Sequence, residues 1–219
     1  MLYNGTEYIR KDVFLLNLPN KLTISRLALV LVFAFFAFPF PDYEIFSGSF
    51  FTGNYRNIVA LIIYIVASVT DALDGHIARK NNLVTNFGKF LDPIADKLLV
   101  TAALLALMTI SNVYLWATLI ILAREFIVSA IRMISASKGV VIPAGIMGKL
   151  KMVFQTIAII ALQVGGIVPE SWTLGDISLA GVVYVLGNII LFVAVVLTIV
   201  SGAQYVYNSR SLLSTKDND

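Results

Sequence analysis

Two pairs of aspartates carry the spacing most suggestive of chemistry. Asp71 and Asp74 stand three residues apart, and Asp92 and Asp96 stand four apart. On an α-helix both separations put side chains on one face, so each pair offers two carboxylates to the same side. Thirteen positions separate Arg79 from Asp92, room for a short turn that would bring the two faces together. Four carboxylates gathered this way repel one another and are pushed toward protonation unless cations neutralise them. Hard oxygen donors select magnesium, manganese or calcium over zinc. With no cysteine and one histidine in the chain, a zinc site is disfavoured further. Two such cations a few ångströms apart stabilise the attacking and leaving oxygens of a phosphate displacement together.

Small residues border these acids. Gly75 follows Asp71 by four residues, Ala78 follows Asp74 by four, and Gly88 precedes Asp92 by four. Such residues either let helices approach closely or clear room for a flat base or a diphosphate. Beside four acids the second reading is favoured. His76 lies roughly 100° around the helix from Gly75, which suits packing or the lipid interface better than catalysis.

The elements that must hold these residues are set by composition. Of 219 residues, 58% are hydrophobic and 13% charged, with a mean hydropathy of +0.87. A soluble domain is nearer half apolar and a quarter charged. Too few charges are present to cover a globule in water, and the absence of cysteine excludes a disulfide-stapled secreted domain. Six apolar stretches are each about long enough to cross a bilayer as a helix: residues 23–40, 57–78, 90–110, 113–134, 146–167 and 179–203. Turn-forming residues at 38–41, 53–54, 81–82, 111–112, 138–139 and 169–171 separate them. No sustained alternation supports a β-barrel, and no internal repeat is visible. The expected fold is therefore an all-α integral membrane protein, a six-transmembrane-helix bundle. A short interfacial helix is expected over Ile9–Leu18, with no cleavable signal peptide before it. The expected organisation is a juxtamembrane segment at 1–22, the six-helix domain at 23–207 and a polar tail at 208–219.

The basic residues orient the bundle. Arg10, Lys11, Lys21, Arg26, Arg79, Lys80, Lys89, Lys138, Lys149, Lys151, Arg210 and Lys216 fall at one face, with Lys97 and Arg132 near it. Arg56 alone falls at the other, and Arg124 sits inside a span. The positive-inside rule makes the crowded face cytoplasmic, which places both termini and the four acids on that side. The net charge of +3 reflects this asymmetry and suggests no nucleic-acid partner. Tyr114, Trp116, Tyr205 and Tyr207 read as interfacial aromatics.

The run Asp71-Ala-Leu-Asp74-Gly75-His-Ile-Ala78-Arg79, followed after eight residues by Gly88, Asp92 and Asp96, resembles the signature of the CDP-alcohol phosphotransferases at all eight fixed positions. These are six-helix membrane enzymes in which an alcohol displaces CMP from a CDP-linked donor. The resemblance implies that Asp71, Asp74, Asp92 and Asp96 hold two divalent cations, Mg2+ or Mn2+, and that Asp96 is also the general base. It further implies that Gly75 and Ala78 accept the cytidine, and that Arg79 and Thr85 contact the donor's phosphates or nucleotide, with Gly88 lining the same donor site. Dimers are common in the family, so a homodimer is expected.

The acceptor must be read from the rest of the chain. Arg124 and Glu125 interrupt the fourth stretch, Arg132 follows on roughly the same face, and Lys149 and Lys151 open the fifth. An ionisable side chain deep in a span costs on the order of 3 kcal/mol, which makes Arg124 a functional candidate. Glu125 could pair with it, although adjacent residues point apart on a helix. Lys138 is explained by the positive-inside rule alone. A pocket of Arg124, Arg132, Lys149 and Lys151 suits a phosphate on the acceptor and argues against serine, choline or ethanolamine. Further likeness covers most of residues 17–160: Asn17-Leu-Pro-Asn20, Ala123-Arg-Glu-Phe126, Ser137-Lys-Gly139, and Gly148-Lys-x-Lys151 followed by Gln155. It resembles the family members that transfer a phosphatidyl group from CDP-diacylglycerol to glycerol 3-phosphate. Thr23 and Arg26 border the active site in this reading, or Arg26 is an interfacial anchor. The last span shows no chemical feature. Cardiolipin and phosphatidylinositol-phosphate synthesis are the alternatives within the family. A divalent-cation transporter would instead place its acids at mid-membrane within an inverted repeat.

Overall fold

The computed structural model describes residues 18–39, 54–81, 86–140 and 145–213, with side chains over 24–39, 54–70, 97–140 and 145–210. The expected interfacial helix before Leu18 lies outside these residues. Six long helices make up the described chain: α1 (Leu18–Ala37), α2 (Tyr55–Asn81), α3 (Asn86–Met108), α4 (Val113–Ser137), α5 (Ile146–Ile167) and α6 (Leu179–Leu213). Between α5 and α6 a small antiparallel hairpin pairs β1 (Thr173–Leu174) with β2 (Ile177–Ser178). Each helix overlaps one of the six apolar stretches. The largest extension is in α6, which continues ten residues beyond Ala203 and at about 1.5 Å per residue outruns the hydrocarbon core.

Local chemistry ends the helices where the turn residues stand. At the end of α4 the Gly139 N–H bonds the Ala136 carbonyl at 3.0 Å and the Val140 N–H bonds the Ser135 carbonyl at 2.9 Å. That pair of bonds is a Schellman motif. It requires a left-handed residue, which Gly139 supplies at φ +74°.

The outer faces are apolar, as a lipid solvent demands. Leu31, Phe126 and Phe192 are each 69% exposed, an arrangement that water would penalise as a large exposed patch. Among the described residues two helices, Ile146–Ile167 and Leu179–Arg210, are long and apolar enough to cross a membrane by length and composition. Between helices in lipid there is little hydrophobic drive, so close packing must hold them together. The α5–α6 seam shows this: a methyl group at Gly187 would lie 2.9 Å from Leu162 Cδ2. Phe33, Tyr64, Leu104, Ile121 and Ile159 fill the core where α1 to α5 meet.

Long-range bonds identify which helix ends share a side. Arg56, at the start of α2, is 8% exposed and donates to the carbonyls of Phe38 at 2.6 Å and Phe35 at 3.3 Å. It satisfies carbonyls at the C-terminus of α1 that lack helical donors and complements the negative end of that helix. Asn54 Nδ2 donates to the Ile167 carbonyl at the end of α5, 3.0 Å away. At the same end Gly165 packs on Tyr184, near the start of α6. The start of α2, the end of α5 and the start of α6 therefore share one side. The end of α2, the start of α5 and the end of α6 lie on the other.

Candidate active site

The aspartates stand on that second side. Asp71 and Asp74 occupy the last three turns of α2, and Asp92 and Asp96 the first three of α3, with only residues 82–85 between the two helices. Gly75, Ala78 and Arg79 continue on α2, Gly88 opens α3, and Thr23 lies on α1. Thr85 and the side chains of all these residues lie outside the described residues. Unbroken helix through both pairs keeps the three- and four-residue registers that give each pair a common face. The donor set fits hard divalent cations: four carboxylates carried by the adjoining ends of two helices, in a chain without cysteine. Among the residues whose side chains are described, which do not include these aspartates, no group of three or more His, Cys, Asp or Glu is placed to hold a metal.

The side chains next to α3's acids tie that helix to the basic cluster. Lys97, one residue after Asp96, donates to Ser129 Oγ on α4. Ser129 Oγ donates in turn to the Glu125 carbonyl at 2.6 Å. The Glu125 carboxylate then receives two cations at Oε1: Arg124 Nη1 at 3.1 Å and Lys151 Nζ from α5. Arg124 and Glu125 thus do not point apart. Both side chains are long enough to fold toward each other, and Lys151 draws the carboxylate to the α5 side. Lys151 is 3% exposed, whereas Lys149, about 200° away around the helix, is exposed.

Helix α6 supplies a third wall. Arg124 Nη2 donates to Ser201 Oγ at 3.2 Å. Gly202 lets α6 pass so close that a Cβ there would sit 2.9 Å from Arg124 Cγ. One turn beyond Ser201, Tyr205 is 8% exposed and packs with Val128 and Ile131 of α4. The Arg132 guanidinium lies 5.6 Å from its ring centroid, within cation–π range. Gly148 faces Arg124 Nη2 from the start of α5. The structure therefore brings Arg124, Lys151 and Arg132 around one junction of α4, α5 and α6.

Two buried polar atoms at this junction, Arg124 Nε and the Tyr205 hydroxyl, have no hydrogen-bond partner among the described residues. Buried donors are ordinarily satisfied, so a pair left open beside a basic cluster suits a ligand.

Several expectations about the aromatic and basic residues are corrected. Tyr205 and Tyr114 are buried and are not interfacial anchors; Trp116 and Tyr207 are exposed. Tyr207 carries Arg210 4.2 Å from its ring centroid. Arg26 is buried too, contrary to an anchor reaching into the interface. The last helix, read as chemically featureless, does contribute to this junction. Ser201, Gly202 and Tyr205 interrupt its apolar run with small and polar side chains at a four-residue period, a signal present in the sequence but outside the family motif.

Residues 16–200 match the CDP-alcohol phosphatidyltransferase family. The chain belongs to that family. Its relatives include the CDP-diacylglycerol--glycerol-3-phosphate 3-phosphatidyltransferase of Bacillus subtilis, 38% identical over 92% of this chain and 99% of the relative. The enzyme of the same name from Rickettsia felis is 36% identical over 86% of this chain and 93% of its own length. A probable phosphatidylglycerophosphate synthase of Mycobacterium tuberculosis is 34% identical over 87% and 80%. The CDP-alcohol phosphatidyltransferase match spans α1 to most of α6, so it includes both aspartate pairs and the Arg124–Lys151 junction.

Proposed function

We propose that this CDP-alcohol phosphatidyltransferase transfers the phosphatidyl group of CDP-diacylglycerol to glycerol 3-phosphate, giving phosphatidylglycerol phosphate and CMP. The observation that carries the reading is the joining of two functional halves. The helix bearing Asp92 and Asp96 is bonded through Lys97 and Ser129 to the helix whose Arg124 and Glu125 meet Lys151. A donor site on the aspartate helices and a phosphate site among the basic residues then share one end of the bundle. The names carried by relatives over nearly the whole chain support the same acceptor.

In this reading Asp71, Asp74, Asp92 and Asp96 hold two divalent cations, Mg2+ or Mn2+, which when bound neutralise the donor diphosphate. Thr23, Gly75, Ala78, Arg79, Thr85 and Gly88 line the CDP-diacylglycerol site. Arg124, Arg132 and Lys151 orient the acceptor through its phosphate, with Lys149 at the exposed rim. Asp96 takes the proton of the acceptor's free primary hydroxyl. That oxygen bonds the phosphatidyl phosphorus, and the bond from this phosphorus to the CMP oxygen breaks. A single displacement accounts for the products without a covalent intermediate on the enzyme. Fixing both reactants removes much of the entropic barrier.

The bundle is read as six membrane-spanning helices over 23–207, flanked by the juxtamembrane segment and polar tail, in the cell membrane with both termini and the site on the cytoplasmic side. A homodimer is part of the same reading. The test is incorporation of labelled glycerol 3-phosphate into lipid by the purified protein given CDP-diacylglycerol and magnesium or manganese. Label in phosphatidylglycerol phosphate, lost with a chelator, supports the proposal; failure of label to enter lipid contradicts it.

A further inference from the structure

Glu125 is an acid inside a basic cluster, and the family signature gives it no role. One carboxylate oxygen takes both Arg124 Nη1 and Lys151 Nζ. The backbone carbonyl of the same residue is held by Ser129, so the carboxylate is carried by an anchored point of α4. Lys151 is almost fully buried, and an ammonium in such surroundings needs an anion beside it. Arg124 and Lys151 would also repel each other across a low-dielectric junction without negative charge between them.

A phosphate on the acceptor supplies the same chemistry: anionic oxygens that accept from a guanidinium and an ammonium. We propose that Glu125 is the resident counter-ion of the acceptor site, occupying Arg124 and Lys151 while the site is empty and competing with the incoming phosphate for them. The inference rests on the reading of Arg124 and Lys151 as acceptor-phosphate ligands. Glu125 is then an affinity-setting residue. It keeps two like charges stably buried in the free enzyme, and the exchange it imposes weakens phosphate binding enough for product to leave.

Removing the charge while keeping an oxygen acceptor, by Glu125→Gln, separates this role from scaffolding. The full-length protein in detergent is compared with the variant by thermal unfolding, with and without glycerol 3-phosphate or glycerol, and by steady-state kinetics. The counter-ion role gives a lower midpoint for the variant without phosphate, and a larger upward shift with glycerol 3-phosphate than in the parent, since at a given concentration a tighter ligand stabilises the folded state more, as the logarithm of its affinity. The apparent KM for glycerol 3-phosphate falls several-fold while that for CDP-diacylglycerol is unchanged. Glycerol, lacking the phosphate, shifts neither protein. A KM for glycerol 3-phosphate that rises or stays constant, or equal thermal shifts in both proteins, overturns the proposal and leaves Glu125 a scaffold. If Glu125→Gln does not fold, Glu125→Asp, which withdraws the charge by one methylene, is expected to show the same signs at smaller amplitude, and opposite signs overturn the idea. Lys151→Ala tests the underlying reading independently. If it leaves the KM for glycerol 3-phosphate unchanged, the phosphate assignment itself falls, whatever Glu125 does.

Discussion

Arg124 of α4 donates to Ser201 of α6 across 77 residues of sequence, with Nη2 to Oγ at 3.2 Å. That bond joins the residue most costly to bury in its span to a helix whose apolar composition gives little hint of a site. It also fixes the guanidinium from one side, while Nε has no hydrogen-bond partner among the described residues.

Arg124→Ala is expected to act on the acceptor. A lost charged hydrogen bond is worth about 2 kcal/mol, so the KM for glycerol 3-phosphate should rise roughly thirtyfold with little change in that for CDP-diacylglycerol. Kinetics with each substrate varied in turn check this. Equal effects on both would place Arg124 in the general scaffold.

The close passage of α6 makes Gly202 a second point of leverage. A methyl group at 2.9 Å from Arg124 Cγ must push the arginine stem aside. Gly202→Ala should therefore weaken glycerol 3-phosphate binding in the same direction as Arg124→Ala, by a smaller factor. Combined with Arg124→Ala, it should add little to the acceptor KM, because the displaced side chain is gone.

Tyr205→Phe separates packing from binding. The hydroxyl is buried without a partner among the described residues, so its removal should leave the thermal midpoint unchanged or raise it. Loss of one neutral hydrogen bond to the acceptor, about 1 kcal/mol, should raise the KM for glycerol 3-phosphate roughly fivefold. A lowered midpoint with unaltered kinetics would make Tyr205 a packing residue.

On the opposite side of the bundle, Arg56→Ala should destabilise without touching chemistry. The arginine bonds the Phe38 and Phe35 carbonyls, and losing charged bonds to a helix terminus costs about 2 kcal/mol. Unfolding in detergent should begin at lower temperature, while both substrate KM values stay constant.

The helical class was legible because lipid imposes long apolar runs on every spanning helix, and the breaks at Ser111-Asn112 and Lys138-Gly139 fall where α4 begins and ends. The helical register of each aspartate pair was legible because spacing alone sets it once α2 and α3 run unbroken through them. The α6 wall was not, because a serine and a glycine in an apolar helix serve packing as often as binding. Only the three-dimensional crossing with α4 distinguishes these uses. Glu125 was misjudged for a related reason. Neighbouring Cβ atoms diverge on a helix, but the reach of Arg and Glu side chains and the pull of Lys151, 26 positions on, bring the charges together.

Asp96→Asn should remove the proposed base and a metal ligand at once. General base catalysis alone contributes about a hundredfold or more, so turnover should fall at least that far with the thermal midpoint retained. Near-parental turnover would displace Asp96 from the reaction.

The most direct measurement is CMP release by the purified protein given CDP-diacylglycerol and magnesium or manganese, with glycerol 3-phosphate, glycerol, inositol phosphate, serine or phosphatidylglycerol as acceptor. Release with glycerol 3-phosphate alone, abolished by a chelator, is the expected result. Release driven equally by an unphosphorylated acceptor, or persisting in full without divalent cations, would contradict it.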